Sequence, residues 1–189
     1  MQSYLNTFFQ TDTLSVAQKL LGCFLQTSSK EGLTSGKIIE TEAYLFDDPA
    51  SKTFKGKNKR NSPLFGPPGY TYVYLTYGKI LYLNITSGEE GKGEGVLIRA
   101  LEPTQGVELM KRRRRKEQIK DLCSGPGKLT QALGLTLEDS NIKIGKGRVR
   151  ITLNENSLEI NKTKRIGISK AKDELLRFYI KGNKFISKP

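Results

Sequence analysis

The sequence predicts an α+β fold, in which short helices flank a curved, largely antiparallel β-sheet within a single domain at residues 1–189. Two observations lead to this fold class. The predicted strands are separated mostly by loops and the helical patterns are gathered in two places, unlike the regular strand–helix alternation of a parallel sheet. A chain of 189 residues is long enough for one full hydrophobic core but short for two.

The first predicted elements are a helix and two strands. Asp12 is expected to cap a helix with apolar residues at helical spacing, which Gly22 ends. Residues 23–27 and 36–44 are then expected to be strands, joined by a polar turn.

The strand at residues 36–44 carries Glu40 and Glu42 ahead of Tyr44. Side chains alternate along a strand, so these three share one face. Glutamate is depleted in strands and is almost never fully buried without a partner. Two interpretations stay open from these residues alone: a half-exposed strand with a solvated acidic face, or an inward-pointing acid or base beside a stacking ring.

Residues 45–68 show no apolar periodicity and are rich in glycine, proline, asparagine and aspartate. Loops of this length are uncommon in compact domains and are usually functional or disordered. Lys52 and four further cations make the stretch basic. Both a loop that wraps a phosphate backbone and a mobile, solvated loop fit this pattern.

Tyrosines mark the next predicted strand. Tyr70, Tyr72 and Tyr74 alternate and so line one face, whereas Tyr77 falls outside the alternation, immediately before a turn at Gly78. A row of tyrosines on one face of a strand is typical of cross-strand packing. In a strongly basic protein, tyrosines are also typical of a surface that stacks on nucleic-acid bases or separates them.

Two further predicted strands each contain one polar residue that needs a partner. Asn84 lies in the otherwise apolar run 80–86. Its side-chain amide is expected either to hydrogen-bond within the fold or to contact a ligand. Arg99 interrupts the strand 96–103, and an internal arginine is normally paired. Its candidate partners in a salt bridge are Glu40, Glu42 and Glu102.

Helices are expected in the second half of the chain. Thr104 is expected to cap a helix at residues 107–116, whose last six residues are all cationic and form either a solvated helix end or a phosphate-binding patch. A glycine-rich turn that contains Lys128 opens another helix, and such a helix N-terminus suits an anion. The turn lacks the pattern of a nucleoside triphosphate-binding loop. The remaining strands are expected at residues 149–153, 165–168 and 176–180.

The composition restricts the chemistry. Lys and Arg number 32 against 19 Asp and Glu, a net charge of +13 that favours a polyanionic partner. The chain has no histidine and only two cysteines, Cys23 and Cys123, which excludes Ser-His-Asp and Cys-His mechanisms and removes the usual zinc ligands. We expect no metal site and no cofactor, and acid–base chemistry from carboxylates, tyrosine or lysine.

The apolar runs are all much shorter than the ~20 residues that cross a bilayer. The first residues also lack the apolar core of a signal peptide. We therefore expect no membrane association and an intracellular, cytoplasmic protein.

Short motifs recur in a definite order along nearly the whole chain. They are Ile39-Glu-Thr-Glu-Ala-Tyr44, Asp48-Pro-Ala50, Arg60-Asn61, Pro68-Gly69, Tyr72-Val-Tyr74, Tyr77-Gly78, Leu83-Asn84, Val96-Leu-Ile-Arg-Ala-Leu-Glu-Pro103, Gly125-Pro-Gly-Lys-Leu129, Arg165-Ile-Gly167 and Arg177-Phe178. Their order and spacing resemble the alkyladenine (3-methyladenine) DNA glycosylase family, which includes mammalian and bacterial enzymes.

The resemblance implies a monofunctional base-excision repair enzyme that acts as a monomer on double-stranded DNA at the bacterial nucleoid. Such an enzyme flips an alkylated purine, of the 3-methyladenine and 7-methylguanine class, out of the duplex. It then hydrolyses the N-glycosidic bond and leaves an abasic site. No cofactor is implied.

The resemblance also implies roles for single residues. Glu42 would activate the attacking water, Tyr44 and Tyr74 would stack on the flipped base, and Asn84 would hinder undamaged guanine. Tyr77 would fill the gap in the duplex, and Arg99 would contact phosphate. The further implied DNA contacts are Tyr72, Lys79 and Lys128.

Two residues depart from the family's pattern. Lys52, which we assign to base binding, stands where the family usually has a histidine against the flipped base and backbone. Lys79 stands near the wedge tyrosine, where the family often has an apolar residue. Both departures concern the range of accepted bases, including hypoxanthine and ethenoadenine, more than the reaction.

Two other classes of function stay open. A non-catalytic module for damaged DNA or other nucleic acid would use the same fold and would not need Glu42. A small-molecule enzyme scaffold, such as the RNA-binding domain of a formyl-transfer protein, would prefer RNA and release no base. A pure binder has no need for an acid facing polyanionic DNA. Both alternatives are therefore opposed by the combined presence of Glu42, Tyr44, Tyr74, Tyr77 and Arg99.

Overall fold

Eight antiparallel strands form one curved sheet in the computed structural model, which describes residues 7–76, 78–154 and 157–188. The order along the sheet is β3-β4-β5-β2-β1-β6, with β8 paired to β2 and β7 paired to β8. The α+β class and the largely antiparallel sheet are therefore confirmed. The strands are β1 Phe24–Ser29, β2 Gly32–Tyr44, β3 Thr71–Thr76, β4 Ile80–Ser87, β5 Glu94–Gln105, β6 Val149–Thr152, β7 Ile160–Thr163 and β8 Arg177–Ile180.

Short helices flank this sheet. Asp12 caps the helix Thr13–Lys19 as predicted, because its carboxylate accepts a hydrogen bond from Ser15 N at 2.9 Å. Among the described residues, no helix is both long and apolar enough to span a membrane. The α-helices are α1 Thr13–Lys19, α2 Val107–Arg114, α3 Lys120–Cys123 and α4 Pro126–Ala132, and the 3-10 helices are Ser62–Phe65 and Leu137–Asp139.

The predicted cap of α2 at Thr104 is wrong, because β5 continues through that residue and Gly106 precedes the helix. Gly106 has a φ of 72°, and a Cβ there would lie 2.1 Å from the carbonyl oxygen of Leu33. Only glycine fits this close crossing of β2. The helix also ends earlier than predicted, since Arg115 adopts a left-handed conformation with a φ of 51°.

The long strand β2 lies at the centre of the sheet. Its first half pairs with β1, its residues Glu40 to Glu42 pair with β8, and β5 runs along its other edge. Thr41 and Ala43 face the core, where the Thr41 hydroxyl donates to Ala17 O of α1 at 2.8 Å. Their neighbours in β2 point to the opposite face, as the predicted alternation requires.

The predicted strand at residues 165–168 is wrong, because this segment forms no ladder. Its polar groups bond to other parts of the protein instead. The buried Arg165 side chain pairs with Asp48 and donates to Ala43 O. The backbone N–H of Ile166 donates to Glu42. The strand before it is β7, which the sequence did not predict. The predictions for β6 and β8 are confirmed to within a residue or two.

The irregular stretch after β2 folds around one asparagine. The buried Asn61 side chain donates to the carbonyl oxygens of Lys52 and Gly56, at 2.9 Å and 3.0 Å, and accepts from Asn58 N at 2.7 Å. These bonds satisfy backbone groups that no sheet or helix serves. The loop thereby holds Lys52 beside the sheet.

Candidate active site

Glu40 and Glu42 are fully buried, each with 0% of its surface exposed. They lie where β2 is flanked by β5 on one edge and by β8 on the other. The interpretation of a solvated acidic face is therefore wrong. A carboxylate removed from water in this way needs charged or hydrogen-bonding partners.

Arg99 of β5 supplies partners to both glutamates. Its Nε lies 3.2 Å from Glu40 Oε1 and its Nη1 lies 3.1 Å from Glu42 Oε1. Arg177 of β8, also buried, lies 2.9 Å from Glu40 Oε1 through Nη1. Two carboxylates thus meet two guanidinium groups, and the charges of the cluster balance.

This pairing is the salt bridge that the sequence offered as one interpretation of Arg99. A contact between Arg99 and DNA phosphate stays a prediction. Arg177 was not predicted as a site residue, although the signal that marked Arg99, an arginine inside a strand, was present there too.

Glu42 accepts three hydrogen bonds, one of them from Arg99. Oε1 accepts from Ile166 N at 2.8 Å as well as from Arg99, and Oε2 accepts from the Tyr44 hydroxyl at 2.9 Å. Burial raises the pKa of the Glu42 carboxyl, and the charge of Arg99 and these hydrogen bonds oppose that rise. A carboxylate with a raised pKa is a better proton acceptor than an ordinary one.

A cavity of about 260 Å³ lies against this cluster. Its volume is many times the ~30 Å³ share of one liquid water. Glu42 is not part of the lining but lies directly behind it, in contact with three lining residues: Tyr44, Arg99 and Ile166. The predicted base-binding residues Tyr44, Lys52, Tyr74 and Asn84 all line the cavity.

The Tyr44 ring is backed by an arginine. The Arg165 guanidinium carbon lies 4.6 Å from the ring centroid, and Arg165 is held in turn by Asp48. Burial raises the pKa of the Tyr44 hydroxyl well above its usual range, helped by the neighbouring Glu42 charge. The hydroxyl therefore acts as a donor to Glu42 and keeps its proton.

The second tyrosine of the cavity is held by other rings. Tyr74 stacks on Tyr72 with centroids 4.7 Å apart, and Tyr82 meets its edge at 6.0 Å. Lys52 Nζ lies 4.7 Å from the Tyr74 centroid. Partial burial lowers the pKa of Lys52. Tyr72 itself is buried behind Tyr74, and its contact with DNA stays a prediction.

Asn84 presents an unsatisfied acceptor. Its Oδ1 is buried and accepts no hydrogen bond from any described residue, although Asn84 lines the cavity. An unpaired buried polar atom costs about 1–3 kcal/mol. A ligand that donates a hydrogen bond at this wall would recover that energy.

The other predicted DNA contacts lie apart from the cavity. Lys79 and Lys128 line a groove together with Arg114, between the β3–β4 turn and α4. Lys128 Nζ donates to Ser124 Oγ at 3.1 Å. Tyr77 lies outside the described residues, so its predicted role as a wedge has no structural description.

The run of six cations divides into two groups. Three of them have partners in the protein. Lys111 pairs with Glu108, Arg113 pairs with Glu31, and Arg114 donates to the side-chain oxygen of Gln131. Arg112, Arg115 and Lys116 are exposed. The exposed half fits a solvated helix end, and phosphate binding by these residues stays a prediction.

Sequence reasoning did not assign roles to Asp48, Arg165 or Ile166. Asp48 and Arg165 are separated by 117 residues, and Ile166 and Glu42 by 124. No local pattern predicts such pairs. In the part of the chain that the structure describes, no three of the metal-ligating residue types, which here means Cys, Asp and Glu, come together.

The fold and the site together define a basic protein in which a curved antiparallel sheet holds a buried acid behind an aromatic-lined cavity. The sequence profile of the family described as methylpurine-DNA glycosylase matches residues 7–184. The chain belongs to that family, as the resemblance in the sequence predicted.

Named relatives match over almost their whole length. A protein of Methanoculleus marisnigri is 46% identical over 186 residues, which cover 96% of each chain. One of Francisella tularensis subsp. tularensis is 46% identical over 189 residues, covering 97% of this chain and 98% of its own. One of Carboxydothermus hydrogenoformans is 45% identical over 184 residues, covering 96% of each. All three carry 3-methyladenine DNA glycosylase as a provisional name.

Proposed function

We propose that this protein is a monofunctional DNA glycosylase that flips alkylated purines of the 3-methyladenine and 7-methylguanine class out of duplex DNA. It hydrolyses the N-glycosidic bond and leaves an abasic site. One observation carries the proposal: Glu42, a buried carboxylate with a raised pKa, contacts the back of a cavity walled by tyrosines. One protein suffices for one lesion, so we propose that it acts as a monomer.

The cavity walls suit a flat, cationic base. Tyr44 and Tyr74 present aromatic faces, each supported from behind by Arg165 or by Tyr72. Stacking on an aromatic side chain contributes about 1–3 kcal/mol per base, which offsets an extrusion cost of a few kcal/mol. A purine methylated at N3 or N7 carries positive charge, and a tyrosine face attracts cations.

The proposed reaction needs a base and little acid. The cationic purine leaves with the electron pair of the C1′–N bond, and a water oxygen bonds to C1′ as its proton passes to Glu42. Ionised Glu42 also stabilises the positive charge that develops on the sugar. General-base catalysis of this kind contributes about 10²- to 10⁴-fold to the rate.

The contacts of Glu42 indicate which oxygen receives the proton. Oε1 already accepts from Arg99 and Ile166, whereas Oε2 accepts from the Tyr44 hydroxyl. A carboxylate oxygen has two acceptor sites, so Oε2 has room for a water.

Asn84 and Lys52 are the proposed contacts to the edge of the base. The unsatisfied Oδ1 of Asn84 supports a polar contact at that wall. In the proposal, Asn84 also limits the room for undamaged guanine. Lys52 places a cation over the Tyr74 ring and so affects which lesions the cavity accepts.

The test is release of free base from methylated duplex DNA by the native chain and by Glu42→Gln. We expect the native chain to release 3-methyladenine and the variant to be slower by about 10²-fold or more, with DNA binding and melting temperature retained. Glu159→Gln is the matched control, because it makes the same chemical change at an exposed glutamate. Equal release by native and Glu42→Gln would contradict the assignment of Glu42.

A second candidate function is a non-catalytic module that binds damaged DNA on this fold. The observation that favours it is the complete burial of Glu42, which leaves it outside the cavity lining. That function predicts tight, salt-sensitive binding of methylated duplex and no release of base from it. The same assay therefore separates the two functions.

A further inference from the structure

The segment after β8 folds back across the sheet toward the glutamates. Asn183 Nδ2 donates to Glu102 Oε2 at 2.9 Å, and Phe185 N donates to Asn183 Oδ1 at 2.9 Å. These contacts fix the direction of the segment. It then brings Ser187 to Glu40, where Ser187 N lies 2.6 Å from Oε2 and Ser187 Oγ lies 2.8 Å from Oε1.

Ser187 completes the hydrogen bonding of a buried carboxylate. Glu40 Oε1 also accepts from Arg177 at 2.9 Å and pairs with Arg99 at 3.2 Å. Oε2 has Ser187 N as its donor within the described chain. Without Ser187, one oxygen of a fully buried carboxylate would lose that partner.

Arg99 connects this arrangement to Glu42. Its Nε is shared between Glu40 Oε1 and Ser187 Oγ, the latter at 3.3 Å, while its Nη1 reaches Glu42 Oε1. The guanidinium group is rigid and planar, so the contacts at Nε set the direction of Nη1. Glu40 and Ser187 therefore determine how Arg99 meets Glu42.

We infer that Ser187, acting through Glu40 and Arg99, is a positioning residue for Glu42 in the proposed reaction. This inference rests on the proposed function of Glu42. Ser187 lies 147 residues from Glu40 in the chain and, like Glu40, does not line the cavity. Its effect on the reaction is thus indirect.

Loss of Ser187 changes Glu42 in a direction that follows from the contacts. Glu40, short of donors, draws Arg99 toward itself, and Glu42 then loses the group that most opposes the rise in its pKa. The charged and titratable groups around Glu42 that stay in place are Glu40 and Tyr44 on β2, Arg177 on β8, and Arg165 behind Tyr44. The active, ionised form of Glu42 would then need a higher pH.

Two variants of Ser187 test the inference. Ser187→Ala removes the hydroxyl, and Ser187→Pro removes the N–H donor as well. Lys184→Ala is the control, because Lys184 lies in the same segment and is exposed. Single-turnover release of 3-methyladenine is measured against pH, together with the Kd for the methylated duplex and the melting temperature.

We expect slower base release in Ser187→Ala and a fall of about 10- to 100-fold in Ser187→Pro, the scale of a small misplacement of a catalytic group. The acidic limb of the pH–rate profile should move to higher pH in both, with Kd unchanged. Lys184→Ala should match the native chain.

Two results would overturn the inference. One is an unchanged rate and acidic limb in both Ser187 variants. The other is a loss of activity that is equal at every pH and accompanied by a lower melting temperature, which would mean that Ser187 only stabilises the fold. If the native chain itself released no base, the proposed function would be wrong. The native reaction alone shows that result, whatever the Ser187 variants do.

Discussion

Glu40 and Glu42 occupy the same strand and the same face, are equally buried and share Arg99, yet their surroundings differ. Glu40 receives its contacts from Arg99, which lines the cavity, and from Arg177 and Ser187, which do not. Glu42 receives its contacts from three residues that line the cavity. Two identical side chains on one strand thus have different contacts.

The difference between the two sites lies in how much charge balances each carboxylate. Glu40 meets two guanidinium groups, whereas Glu42 shares one and is otherwise held by neutral donors. Burial outweighs those contacts at Glu42 and raises its pKa. We therefore expect Glu40 to matter first for stability and Glu42 first for chemistry.

The largest expected effect is the loss of base release in Glu42→Gln, at about 10²-fold or more, because the proposed proton acceptor is removed. If the comparison holds, Glu40→Gln is the milder variant in the same single-turnover assay. A Glu40→Gln rate as low as that of Glu42→Gln would mean that the two acids act as one unit.

The next largest expected effect is on stability, where Glu40→Gln should be the more severe of the two variants. Glu40→Gln leaves Arg177 buried without its carboxylate partner, and breaking a buried ion pair in this way costs about 3–5 kcal/mol. Urea unfolding of the two glutamine variants at neutral pH is the measurement. We expect the larger loss of unfolding free energy in Glu40→Gln, and equal losses would remove the distinction between the two sites.

The pH dependence of stability sharpens the comparison further. The pKa of Glu42 is raised in the folded protein above its ordinary value of 4.5, so between those two pKa values the folded state binds more protons than the unfolded chain. The contribution of Glu42 to stability is therefore present at low pH and decreases as pH rises through that window.

Glu42→Gln removes this titration. The unfolding free energy of Glu42→Gln relative to the native chain should thus increase as pH rises from 4.5 through the raised pKa of Glu42. Urea unfolding at a series of pH values, with Glu159→Gln as a variant that should show no such trend, measures it. A relative stability that is constant with pH would contradict a raised pKa at Glu42.

The smallest expected effect is on the choice of released base and comes from Lys52, the lysine that lines the cavity. Lys52 lies over Tyr74, and an exposed cation–π contact is worth about 0.5–1 kcal/mol. Replacing Lys52 by methionine removes a positive charge from the place where a cationic base would stack. Release of 7-methylguanine should rise a few-fold relative to release of neutral hypoxanthine.

The control for this variant is Lys55→Met, an exposed lysine of the same loop that does not line the cavity. It should leave the ratio of the two bases unchanged. An unchanged ratio in Lys52→Met as well would show that Lys52 does not influence the charge preference of the site.

Much of the site was predictable because its signals are local. The two-residue period of a strand places Glu40, Glu42 and Tyr44 on one face, and the structure has them there. Arg99 was marked as needing a partner because an arginine in an otherwise apolar strand is normally paired. The order of motifs predicted the family, and the family profile confirms it.

Other predictions were wrong because the structure at those positions is set by contacts with distant parts of the chain. Thr104 has the right chemistry for a helix cap, but β5 extends through it to pair with the start of β2. Residues 165–168 have the apolar character of a strand, yet their polar groups are taken by Asp48, Ala43 and Glu42. Local propensity is a weak guide where tertiary contacts compete for the same backbone.

The sequence by itself determined the antiparallel class, the basic charge, the absence of histidine chemistry and the face on which the two glutamates lie. Only the tertiary structure decided which glutamate meets the cavity and which meets Ser187, since these partners come from segments more than a hundred residues away. Patterns of hydrophobicity and propensity act over a few residues. The burial and charge balance that distinguish one carboxylate from another depend on which strands become neighbours when the sheet closes around them.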